Sequence, residues 1–126
     1  MRIYKTPAFA KDADKLGLTD ADLWAAVQEI ASGLIDAHLG GELVKKRVAS
    51  GTKGKRGGFR TVVAWRQGQR CFFLHVFGKG EKANIADQEE KAFKVFGKGL
   101  MAMSAEALDI AAANGKLKEV SCVPDS

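Results

Sequence analysis

Hydrophobic positions in the first 35 residues fall into two stripes. Phe9, Ala10, Ala13 and Leu16 recur at steps of three and four, and so do Leu23, Trp24, Val27, Ile30 and Leu34. That spacing lines one face of an α-helix. Each stripe has a start signal. Thr6-Pro7 supplies an N-cap and a first-turn proline, and Thr19 supplies a second cap with Asp20 and Asp22 near the positive helix end. Gly17 stops the first helix. Arg2-Ile3-Tyr4 ahead of them predicts a short strand. After the break at Leu39-Gly40-Gly41 the period changes to two. Within 42–49, Val44, Lys46 and Val48 point one way and Lys45, Arg47 and Ala49 the other. Residues 59–65 predict a strand, 66–69 a hairpin turn, and 70–78 a strand apolar on both faces, as central strands are. Helical spacing returns with Phe93, Phe96, Leu100 and Met103, weakened at Gly97 and Gly99, where a kink is expected. Ser104 caps a further short helix ending at Asn114-Gly115, and 117–121 predict an edge strand. The order β-α-α-β-β-β-α-α-β predicts an α+β fold: a small antiparallel β-sheet with helices packed on one face. A length of 126 residues predicts a single domain, 1–126.

Charge is unevenly distributed along the chain. Residues 42–82 hold 11 Lys/Arg and two acids, whereas the remainder carries 9 cations and 13 acids. The positive charge therefore belongs to one block, which favours a polyanionic partner. Its densest part is GTKGKRGGFR, residues 51–60, with four glycines and the cations Lys53, Lys55, Arg56 and Arg60. The segment joins strand to strand, and no GxxxxGK[ST] occurs, which argues against a nucleotide P-loop. His38 and His75 are far apart and no Cys/His cluster accompanies them, so neither a metal nor another cofactor is called for. Cys71, in an apolar run, predicts a buried free thiol, and Cys122 lies in the tail. No apolar run reaches the roughly 20 residues of a membrane span, and the N-terminus lacks a secretory h-region. A cytoplasmic protein that does not engage a membrane is expected.

Candidate chemistry sits on the sheet. Lys45 and Arg47, two apart on one strand, share a face, and Arg60 opens the next strand. Antiparallel pairing in matching register would bring the three together, with Lys79 and Lys82 at the far end of the central strand. A phosphodiester suits such a face, because Arg binds phosphate oxygens in a bidentate manner and Lys acts as a point charge. In RNA cleavage the 2′-OH attacks phosphorus and charge builds on the equatorial oxygens, which fixed cations stabilise. A lysine crowded by cations can serve as a base. His75, mid-strand between Leu74 and Val76, is a possible general acid, although packed core histidines are commoner. Trp24 and Tyr4 read as structural. The residues alone leave an enzyme and a phosphate-binding face without catalysis equally open.

The segment KKRVASGTKGKRGGFRTVVAW (45–65), followed by FFLHVFGKGEKANI (72–85), resembles toxins of the RelE/ParE superfamily from bacterial type II toxin–antitoxin systems, in the RelE/HigB-like branch. The similarity covers roughly residues 20–100. The resemblance implies a RelE-like microbial ribonuclease fold and a metal-independent endoribonuclease, an mRNA interferase that cuts mRNA in the ribosomal A site to inhibit translation. It implies mRNA, ribosomal RNA and a cognate antitoxin, a helix-turn-helix protein in this branch, as partners. By the same resemblance the catalytic residues are Lys45, Arg47, Arg60 and Lys79. Lys46, Lys53, Lys55, Arg56 and Lys82 are RNA-binding candidates. Gly80 stands where the best-studied branch has an arginine, and Ala86 where it has a tyrosine, so Lys53, Lys55, Arg56 or His75 is expected to substitute. The alternative is a non-catalytic RNA- or ribosome-binding module of the same fold.

Overall fold

The computed structural model describes residues 1–50, 58–78 and 85–120. Its elements run β1 (Arg2–Lys5), α1 (Pro7–Leu16), α2 (Asp20–Ala31), β2 (Ala37–Gly40), β3 (Leu43–Val48), β4 (Phe59–Arg66), β5 (Arg70–Val76), α3 (Asp87–Ala102), α4 (Ala105–Ala113) and β6 (Lys118–Glu119). This is the expected α+β architecture. The strands form one sheet in the order β2-β3-β4-β5-β1-β6. Its pairings are antiparallel except one: β1 runs parallel to β5.

The caps behave as the sequence predicts. The Thr6 hydroxyl accepts from the Phe9 N–H, and Gly17 closes α1 in the left-handed conformation. Thr19 and Asp22 form a reciprocal capping box on α2. The Ser104 hydroxyl accepts from the Ala107 N–H at the start of α4. Three expectations change. α2 ends at Ala31, so Leu34 lies beyond it, half exposed. The stretch around Gly40 includes the short strand β2, paired to β3 through a register shift. α3 continues through Gly97 and Gly99 as one helix. Gly97 is there for closeness: a Cβ on it would lie 3.1 Å from that of Ala64 in β4.

Helices cover both faces of the sheet, which corrects the expectation of one. Phe9, Leu23, Val27 and Ile30 of α1 and α2 pack with Val44, Val48, Val63 and Phe73 on one side. Leu100, Met101 and Leu108 of α3 and α4 pack with Tyr4, Leu43, Val62, Ala64 and Phe72 on the other. The doubly apolar β5 requires this, since each of its faces needs a cover. Arg70 secures the second layer by donating from Nη1 to the carbonyls of Met101, at 3.3 Å, and Met103, where α3 ends. Cys71 is a buried free thiol, as expected, and burial pushes its pKa well above the usual thiol range. Tyr4 is buried and stacked on Phe72, with ring centroids 5.4 Å apart. Among the described residues no helix is long and apolar enough to cross a membrane.

Candidate nucleic-acid interface

The cationic face follows from the pairing of β3 with β4. Leu43 lies opposite Ala64, Lys45 opposite Val62, and Arg47 opposite Arg60. Residues two apart share a face, so these six side chains belong to one side of the sheet, the side that α3 covers. Leu43, Val62 and Ala64 are buried there beneath the helix. Lys45, Arg47 and Arg60 continue the same face toward the end of β3 and the start of β4, and Arg60 is exposed. Its Nε lies 4.0 Å from an Asp36 carboxylate oxygen. Its backbone is fixed from the other strand, because the Phe77 N–H donates to the Arg60 carbonyl at 2.9 Å.

Lys46 does not join them. It is 1% exposed, on the opposite face, and its ammonium sits 2.7 Å from a Glu29 carboxylate oxygen of α2. The Thr61 hydroxyl donates to its carbonyl at 2.8 Å. The expectation that Lys46 contacts RNA is corrected: a lysine between Val44 and Val48 on the core side carries its charge inward and needs a buried partner.

His75 reaches the cationic side through an irregularity. Strict alternation from Cys71 and Phe73 would aim it at α1 and α2. The register shifts, however: Val62 pairs with His75 while Val63 pairs with Phe73, leaving Leu74 as the extra residue. The imidazole consequently meets Phe77 edge-on, with centroids 4.7 Å apart, and Phe93 of α3 at 5.5 Å. Lys45, Val62 and His75 form one row across three strands. At strand spacing, Lys45 and His75 backbones stand about 10 Å apart.

The candidates Lys53, Lys55, Arg56, Lys79 and Lys82, with Gly80, lie outside the described residues, as does Cys122. Ala86 is the exposed N-cap of α3, where the Glu89 carboxylate accepts from its N–H. Sequence reasoning missed Glu29, Asp36, Phe77 and Phe93 as neighbours of the site. The alternation itself held the signal for Glu29, since it placed Lys46 with two valines. The others depend on long-range pairing and on the shifted register, which leave no local mark. Among the described residues no group of three or more His, Cys, Asp or Glu is placed to hold a metal ion.

Two guanidiniums and an ammonium on one sheet face, with an imidazole one strand further, can bind a phosphodiester and stabilise negative charge on its oxygens. The family described as the RelE toxin of the RelE/RelB toxin–antitoxin system matches residues 1–120. No curated protein matches the chain. A family match over nearly the whole length, on a sheet flanked by helices with this cationic face, leads to one conclusion: the chain belongs to the RelE toxin family and is the toxin component of a toxin–antitoxin system.

Proposed function

We propose that this toxin is a ribosome-dependent endoribonuclease of the HigB-like kind that cleaves mRNA in the A site and so stops translation, acting in the cytoplasm without a metal. The observation that carries the proposal is the direct pairing of Arg47 with Arg60, beside Lys45 on the same face. A scissile phosphate seated on Arg60 would have its 2′-OH oriented by Lys45 and Arg47. The 2′-oxygen gives its proton to Lys45 and bonds to phosphorus as the bond to the 5′-oxygen breaks, leaving a 2′,3′-cyclic phosphate and a 5′-OH; water can then open the cycle to a 3′-phosphate. Cations fixed by a sheet favour the transition state because its oxygens carry more charge than those of the bound message. In this reading His75, whose ring packs on Phe77 and Phe93, would give a proton to the leaving oxygen. Lys53, Lys55, Arg56, Lys79 and Lys82 add phosphate contacts to message and ribosomal RNA. The cognate antitoxin, a helix-turn-helix protein in this reading, silences the enzyme by binding it.

Induced expression without antitoxin tests the proposal. Growth arrest with new 5′ ends inside A-site codons is expected, and Arg60→Ala relieves both. Arrest without cut message would leave a ribosome-binding module of the same fold, and a harmless wild type would remove the toxin mechanism altogether.

A further inference from the structure

Helix α3 is apolar on two sides. Its inner side, with Gly97, Leu100 and Met101, is buried against the sheet. Its outer side carries Ala92, Val95, Phe96 and Gly99, all exposed, which helical spacing gathers into one stripe. Val95 is 73% exposed and Phe96 48%. A Cβ on Gly99 would meet nothing within 4 Å, so the stripe has an open notch one turn beyond Val95. A surface helix ordinarily presents polar side chains there, and adjoining exposed large apolar residues mark a contact surface.

Charge identifies the occupant. The acids of α3 sit in its first turn, at Asp87, Glu89 and Glu90. From Lys91 to Met103 the helix holds three lysines and no carboxylate. Lys94 is bound by Glu90 at 3.0 Å, whereas Lys91 and Lys98 are exposed one turn to either side of Val95. A second copy of the chain fits poorly, because an antiparallel pair centred on Val95 would set those lysines against each other. Nucleic acid would meet the lysines but leave the apolar stripe wet. We propose that the outer face of α3 is the docking surface for an acidic amphipathic segment of the cognate antitoxin, its apolar side chains covering Val95 and Phe96 and entering the notch at Gly99, its carboxylates meeting Lys91 and Lys98. This inference rests on membership of a toxin–antitoxin family and stands apart from the ribonuclease proposal.

The test uses the purified toxin and the product of the reading frame beside its gene, with affinity measured by calorimetry. Wild type should bind it. Val95→Asp and Gly99→Trp should each weaken binding tenfold or more, with cooperative thermal unfolding no lower than that of wild type as the control for folding. Reversing charge at Lys91→Glu and Lys98→Glu together should slow association and flatten its salt dependence. The inference is overturned if these variants bind like wild type, if wild type does not bind that product, or if Val95→Asp instead dissolves a homodimer. RNA cleavage by Val95→Asp should match that of wild type, so a failure of cleavage bears on the ribonuclease proposal alone.

Discussion

Arg47 and Arg60 occupy directly opposed positions on β3 and β4. Like charges so placed cost stability, on the order of 0.2–1 kcal/mol. Asp36, 4.0 Å from Arg60, offsets part of that cost at one of the two. Arg47→Gln should therefore raise the unfolding temperature slightly at low salt, and the gain should shrink as salt screens the pair. The same substitution should lower RNA cleavage. Stability lost by Arg47→Gln would mean that the arginine is held by favourable partners rather than kept for a ligand.

The inward lysine of β3 gives the opposite pattern. Glu29→Ala leaves the Lys46 ammonium buried without the carboxylate 2.7 Å away. Breaking a fully buried pair costs roughly 3–5 kcal/mol, and the partial exposure of Glu29 reduces this to about 2. Lys46→Met, which removes the charge and keeps the volume, should unfold within about 1 kcal/mol of wild type and cleave RNA normally. Denaturant melts of both variants decide this. A Lys46→Met protein that folds normally but cannot bind RNA would restore Lys46 to the interface.

Much of the site was legible because a strand has a period of two. That period put Lys45 and Arg47 on one face and Lys46 on the other, although the family resemblance still counted Lys46 among the RNA-binding candidates. The helix caps at Thr6, Thr19 and Ser104 were legible for a similarly local reason: each supplies an oxygen to an unpaired N–H nearby. What escaped depends on distant partners. β2 is four residues long and gains its identity only by pairing with β3. The parallel partnership of β1 with β5 joins residues far apart in the chain. The turning of His75 onto the cationic side comes from one extra residue at Leu74, invisible to alternation. The second helical layer was implied by the apolar faces of β5, but only packing reveals which helices supply it.

Gly97 and Gly99 separate two reasons for a glycine in a helix. Both weaken α3 intrinsically, by about 1 kcal/mol each relative to alanine. Gly99 has open space around its Cα, so Gly99→Ala should recover most of that. Gly97→Ala would press its methyl to 3.1 Å from the Ala64 Cβ, and should stabilise less or destabilise. Equal gains in thermal unfolding from the two would show that the helix–sheet spacing is not set by Gly97.

Burial of Cys71 predicts a pH dependence. A thiol whose pKa is raised on folding contributes its full share of stability below the unfolded value of about 8.5. As pH rises further, the unfolded chain loses the proton first and stability falls, by at most about 1.4 kcal/mol per pH unit from this group. Cys71→Ala should remove that part of the slope above pH 8.5 in denaturant melts. In a Cys122→Ser background, the native protein at pH 8 should resist thiol reagents until it is unfolded. Rapid labelling of the folded protein would contradict the buried placement.

Single-turnover cleavage on purified ribosomes carrying a defined message tests most directly whether Lys45, Arg47 and Arg60 act on one phosphate. Wild type is expected to cut message within the A-site codon, with the rate reduced roughly 10²–10³-fold by Arg60→Ala and substantially by Lys45→Ala. Equal rates for wild type and Arg60→Ala, or no cleavage by wild type at all, would contradict it.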